Sequence, residues 1–129
     1  MTYEVKTEIL GFENISSMEF TEVDDLFATI KSNQNDSISF TLVNPYMLRE
    51  YSFDLPSSAK VLLGIDATSN VLVYNIMVVQ NPLNESRVNF LAPIIFNKDK
   101  GLMGQIALRA TDYPDFGLAE QLKNFTLAA

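Results

Sequence analysis

Bond-making chemistry at neutral pH needs groups that attack or that exchange protons, and this chain carries few of them. It has no histidine and no cysteine. That removes Ser-His-Asp and Cys-His nucleophile systems, imidazole and thiolate metal ligation, and any disulfide. A carboxylate pair or a Ser-Lys arrangement is what remains. Asp24-Asp25 is the only pair of adjacent acids. Next-door residues on a strand point to opposite faces, so the two make a poor acid–base dyad, and capping or solvation suits them better. Asp99 and Asp115 sit among turn formers without the spacing of a calcium loop. The five glycines are dispersed and frame no phosphate-cradling motif. The residues therefore predict no catalytic group, no metal site and no cofactor.

Polar residues set inside apolar runs are the more unusual feature. Asn75 interrupts Val71–Val79, Asn89 and Asn97 flank Phe90–Phe96, and Asn44 opens an Asn-Pro-Tyr corner. A buried amide must find hydrogen-bond partners or cost about 1–3 kcal/mol. Such amides either stitch irregular backbone at bulges and corners, or point outward and read a partner. Tyr46, Tyr51 and Tyr113 divide the same way, between core or corner residues and contact residues. An exposed tyrosine beside a proline turn is a good anchor at an interface.

The elements that must position these residues follow from periodicity. The runs 71–79 and 88–97, joined by the turn-forming segment 80–86, read as an antiparallel pair at the centre of the fold. The first run is apolar on both faces and should be covered on both sides. Pro93 cannot donate to a ladder, so the second run should bend or bulge there, with Phe90, Ile94 and Phe96 in the core. Tyr3, Val5, Thr7 and Ile9 alternate with charged residues as a half-buried strand ending at Gly11. Phe12 to Phe20 reads as short broken pieces. Asp24-Asp25 either caps a helical turn over 26–30 or closes a turn before a strand. Residues 38–55 read as a hairpin with a wide turn at Asn44-Pro45-Tyr46. Residues 56–63 read as a short helix stopped by Gly64. Leu102, Gly104, Ile106 and Leu108 share a strand face. Leu118, Leu122 and Phe125 fall at helical spacing, predicting a terminal helix or half-helix. Many short strands with regular turns predict an all-β fold, a small antiparallel barrel or sandwich with one or two short helices.

The totals agree. A chain of 129 residues, 47% hydrophobic, suits a single domain over 1–129 that forms a core without staples. The start of the sequence has no apolar h-region and no run reaches about 18 apolar residues, so neither a signal peptide nor a membrane span is expected. Four Asn-x-Ser/Thr sequons, at Asn14, Asn35, Asn84 and Asn124, are then coincidental. The net charge of −7, with scattered basic residues, argues against direct nucleic-acid binding and favours a basic protein partner or simple solubility.

In this order the motifs resemble the FliW family of bacterial flagellar assembly factors. The likeness rests on Leu10-Gly11-Phe12, Asp24-Asp25, Asn44-Pro45-Tyr46, Leu55-Pro56, the run 71–76, Tyr113-Pro114 and, most specifically, Val88–Asn97. It implies a non-enzymatic cytoplasmic protein with two alternative protein partners. One is flagellin, held before export. The other is CsrA, a small RNA-binding translational repressor, bound once flagellin leaves, so that repression of flagellin mRNA is lifted. The motif residues Asn44, Pro45, Tyr46, Asn89, Asn97 and Tyr113 become the candidate partner-binding set. The competing reading from the residues alone is a small-ligand-binding barrel, and a carboxylate enzyme trails both.

Overall fold

The computed structural model describes residues 1–9, 11–12 and 14–125; Leu10 of the Leu10-Gly11-Phe12 motif lies outside them. The described residues form nine strands: β1 (Thr2–Thr7), β2 (Ser17–Glu22), β3 (Phe27–Ser32), β4 (Ser39–Val43), β5 (Val71–Val78), β6 (Arg87–Val88), β7 (Ile94–Asn97), β8 (Leu102–Gln105) and β9 (Glu120–Gln121). The α-helix α1 (Ser57–Leu63) lies between β4 and β5. Seven strands close on themselves in the order β1-β2-β3-β4-β5-β7-β8 and back to β1. All neighbours are antiparallel except β1 and β8, which run parallel. This is the small, mostly antiparallel barrel expected from the alternating strands.

The barrel interior is solid. Every strand of the ring sends alternate residues inward: Tyr3, Met18 and Phe20, Ala28 and Ile30, Leu42, Tyr74, Ile94 and Phe96, and Met103 pack as one cluster. Four of their rings meet at the centre. Phe96 lies 5.0 Å from Tyr3, 5.1 Å from Phe20 and 6.2 Å from Tyr74, all edge-to-face. Edge-to-face contact sets the positive rim of one ring against the negative face of the next.

Two layers cover the outside. Helix α1 sets Ala59 and Leu63 against Ile95 and Ile106. Pro56 precedes it and Gly64, at φ 63°, ends it, as a Pro start and a Gly stop predict. On the other flank, Tyr51, Phe53, Phe116, Leu122 and Phe125 pack over Val43, Met77, Val88 and Phe90. So β5 is buried by Leu72, Tyr74 and Ile76 on one face and by Val73, Asn75 and Met77 on the other. The second run does break at the proline: its first part, β6, pairs with Val78 and Met77, and its second part, β7, pairs with Val71–Tyr74. Phe90, Ile94 and Phe96 are fully buried.

Three local expectations change, and the choice left open at Asp24 is settled. The later pieces of the Phe12–Phe20 stretch resolve into one regular strand from Ser17, because β3 pairs with it from Met18 to Glu22 and β1 from Ser17 to Glu19. Asp24 closes a turn before a strand: its Oδ1 accepts from the N–H of Leu26 at 2.9 Å and of Phe27 at 2.7 Å. The 38–55 hairpin does not form. The free side of β4 is taken by β5, which closes the barrel, and residues 51–55 run outside any ladder. The terminal helix is replaced by the two-residue strand β9 on β6 and a 3-10 turn over Leu122–Phe125. Pairing with β6 rewards an extended backbone there, and Leu118 is left exposed.

Closure depends on one tight approach. A Cβ on Gly104 would collide with Thr7 Oγ1 and lie 2.9 Å from the Thr7 backbone nitrogen. Gly104→Ala should therefore push β8 off β1, with an overpacking cost of about 1–3 kcal/mol. A urea titration by circular dichroism measures it as a lowered midpoint.

The open ends are tied by carboxylates. Asp99 accepts from the backbone N–H and the Nδ2 of Asn70, at 2.8 and 2.9 Å. Asp66 accepts from Thr68. These bonds hold both carboxyls below their ordinary value of 3.8. A carboxylate depressed on folding adds stability above its unfolded value and loses it as pH falls through the lower folded one. The unfolding midpoint should thus hold from about pH 7 to 5 and drop below about pH 4. Asp99→Asn should remove part of that drop, as acid titration of both proteins would show.

Candidate functional site

The candidate site is the corner where β4 leaves the barrel. Asn44 accepts from the Tyr46 N–H with Oδ1 at 3.0 Å and so starts the 3-10 turn Pro45–Met47. Its backbone N–H donates to the Leu26 carbonyl at 2.7 Å, which docks the corner on the β2–β3 turn. Pro45 is buried beneath, and Tyr46 stands 54% exposed above it. The Tyr46 ring meets Tyr51 edge-on at 6.1 Å. Partial burial raises its phenol pKa, so it presents a neutral hydroxyl on an apolar ring.

Below Tyr46 is a cleft of about 250 Å³, lined by Tyr51, Ser52, Phe53, Leu55, Val71, Val73 and Ile95. A larger recess of about 350 Å³ sits at the other end of β5. Ile9, Phe40, Ile76 and Val78 line it together with Arg87, Asn89, Gln105 and Leu118. Neither recess is lined by a carboxylate. Among the described residues no three acids gather in a way that could hold a metal ion. What these surfaces offer is apolar and aromatic contact, with the amides of Asn89 and Gln105 and the guanidinium of Arg87 at the far recess.

The other sequence-predicted residues are spread over the fold. Asn89 lines the far recess, and its Oδ1 accepts from the Leu91 N–H at 3.0 Å across the bulge before Pro93. Asn97 is wholly buried: its Nδ2 donates to the carbonyls of Leu63 and Gly64 at the end of α1, and its Oδ1 accepts from the Asp99 N–H. Tyr113 accepts from the Asp54 N–H at 2.9 Å and stacks on Phe116. Of the six, Asn44, Pro45 and Tyr46 come together, and Tyr46 alone presents a large exposed face.

The model of the family described as "FliW protein" matches residues 1–116. The chain belongs to the FliW family. Among its relatives, "Flagellar assembly factor FliW 1" of Wolinella succinogenes is 54% identical over 125 residues, 97% of this chain and 98% of that one. "Flagellar assembly factor FliW" of Helicobacter pylori is 45% identical over 129 residues, 98% of this chain and 96% of that one. A crystal structure of the flagellar assembly factor FliW superposes with a TM-score of 0.85, covering 99% of this chain and 88% of that one at 23% identity, which establishes a shared fold.

Within this FliW-family fold, sequence reasoning missed three features. Tyr51 was legible as an aromatic, not as a hub: its hydroxyl donates to the Phe90 carbonyl at 2.6 Å and accepts from Asn75 Nδ2 at 3.2 Å. Burial drives its pKa well above the ordinary phenol value, so it stays neutral. Arg49 lies over the rings of Phe90, Phe116 and Phe125 at 5.0–5.5 Å and pairs with Glu120 at 3.3 Å. No local pattern marks a contact between residues so far apart. The far recess was missed as well: Val78, the last residue of β5, lines it and stands exposed.

Proposed function

We propose that this protein is a flagellar assembly factor that works by holding other proteins. It binds flagellin, and when flagellin is exported it binds the repressor CsrA and relieves repression of flagellin mRNA. The observation that carries this reading is full-length likeness to FliW relatives named as flagellar assembly factors, at 54% and 45% identity. The filled barrel and recesses free of carboxylates support a gripping role over a catalytic one. An acidic protein of net charge −7 suits a basic RNA-binding partner. The two partners act by competition, each lowering the free protein available to the other by mass action. On this reading the protein acts in the cytoplasm, where its partners are made.

Pull-down with purified flagellin and with CsrA tests the reading, and a folded sample that binds neither would end it. Tyr46 is the contact residue of first choice. Tyr46→Ala should weaken at least one partner about tenfold or more, as truncation of an interface aromatic does. Its exposure means that the thermal midpoint should stay within a degree or so of wild type. A lowered midpoint without selective loss of binding would make it a packing residue instead. The runner-up, a small-ligand-binding barrel, has the 350 Å³ recess in its favour and the solid interior against it.

A further inference from the structure

The run Glu50–Leu55 alternates as a strand does but belongs to no sheet. Its burial alternates: Tyr51, Phe53 and Leu55 face the protein, while Glu50, Ser52 and Asp54 face solvent. It contains no turn or bend. Among the described residues, no N–H or C=O of 51–55 makes a backbone hydrogen bond, and the Asp54 N–H alone finds a side-chain acceptor, Tyr113 Oη. Backbone polar groups left without protein partners form a template for another strand. Across the corner cleft lies a second such row. β4 stops pairing with β5 at Val43 opposite Asn75, so Val71–Tyr74 have β7 on one side only. In an antiparallel strand every second residue then turns its N–H and C=O to the vacated side.

We propose that this cleft takes an extended, basic peptide segment of a partner protein by strand addition along residues 51–55. Main-chain hydrogen bonds to 51–55 supply the affinity, and alternate side chains enter the apolar floor of Phe53, Val73 and Ile95 beneath Tyr46. The cleft volume of about 250 Å³ lies under the about 300–1,000 Å³ of small-molecule sites and suits side chains of a passing strand. Charge selects the occupant. Neither Glu50 nor Asp54 has an ion pair among the described residues, and both sit where a cross-strand side chain would stand. Glu22, Asp24 and Asp25 stand at the same end of the barrel; burial raises the Tyr74 hydroxyl pKa and these three charges add to it. The neighbouring cation, Arg49, is already held by Glu120 and three rings. Lys98 and Lys100 stand on the β7–β8 turn, with the Lys100 side chain against Gly64. A second copy of this chain would set like charges against Glu50 and Asp54, which disfavours self-pairing at this edge.

This inference rests on the reading that the protein acts by holding others, but it has its own test. The probes are a capped alternating Lys-Val heptapeptide, its Glu-Val counterpart, and the Lys-Val peptide N-methylated on alternate residues. Backbone amide NMR of the full chain reports where each binds. The Lys-Val peptide should shift the amides of 51–55 and 71–73, and the other two should bind at least about tenfold more weakly. The double variant Glu50→Lys with Asp54→Lys, both exposed, should lose about tenfold in affinity for the basic peptide while keeping the wild-type spectrum elsewhere. Absent shifts, shifts confined to other surfaces, or equal binding of the N-methylated peptide would overturn the proposal. Full binding of flagellin and CsrA by the double variant would overturn it as the partner site while leaving the flagellar reading intact. Peptide binding by a chain that holds neither protein would do the reverse.

Discussion

Phe96→Ala should cost about 3–5 kcal/mol, the largest loss expected of any single truncation here. Phe96 is fully buried on β7 and its ring touches Tyr3, Phe20 and Tyr74. These rings come from four strands of the barrel, so removing the central one opens a cavity that no single strand can close by shifting. Two terms add: the lost transfer free energy of the side chain and the unfilled volume around it. Set against a total stability of about 5–15 kcal/mol, that is a large share. A urea titration should show a much lower midpoint, with the slope nearly unchanged if the barrel still folds. A midpoint shift under about 1 kcal/mol would mean that the interior relaxes more freely than its interlocked rings suggest.

Asn97→Ala should cost about 3 kcal/mol, and the loss should fall on the fold before any partner. The side chain of Asn97 ties three backbone groups: the carbonyls of Leu63 and Gly64 and the N–H of Asp99. The Leu63 carbonyl is at the C-terminal end of α1, where helices leave orphan acceptors. Deleting the amide strands that acceptor in a buried place, and each group so stranded costs about 1–3 kcal/mol. Hydrogen exchange should report faster opening of α1 and of the 98–101 turn, with binding weakened only in proportion to the unfolded fraction. Selective loss of one partner at full stability would instead assign Asn97 to an interface.

Much of this was legible because burial imposes a period. The central strand 71–78 reads plainly because both its faces are covered, and the break at Pro93 follows from a missing N–H. The amides at 44, 75, 89 and 97 signal irregular backbone, and each is found bonded to it or to a neighbour that is. What period 2 cannot encode is a partner. Residues 51–55 alternate like any strand, but β5 has closed the ring, so the alternation buries side chains with no ladder beside them. Leu118, Leu122 and Phe125 keep helical spacing, yet pairing of β9 with β6 and the grip of Phe125 on Phe90 override it. The parallel closure of β1 on β8 joins residues about a hundred positions apart and leaves only one trace in the sequence, a glycine at 104.

The candidate corner was legible in part. Tyr46 stands out as an aromatic on a proline corner, and the structure does expose it over a cleft. In the sequence Glu50 and Asp54 are simply the polar positions that alternate with Tyr51, Phe53 and Leu55. Their meaning comes from the unpaired backbone between them, which only the three-dimensional arrangement reveals.

The most direct test of the account is a competition titration. Labelled CsrA is bound to this protein and flagellin is added, with anisotropy reporting release. The account predicts that flagellin displaces CsrA with a midpoint that moves in proportion to the amount of complex, and that Tyr46→Ala alters the balance without altering the fold. Failure of CsrA to bind a folded sample, or the formation of a stable ternary complex with no displacement at any flagellin concentration, would contradict it.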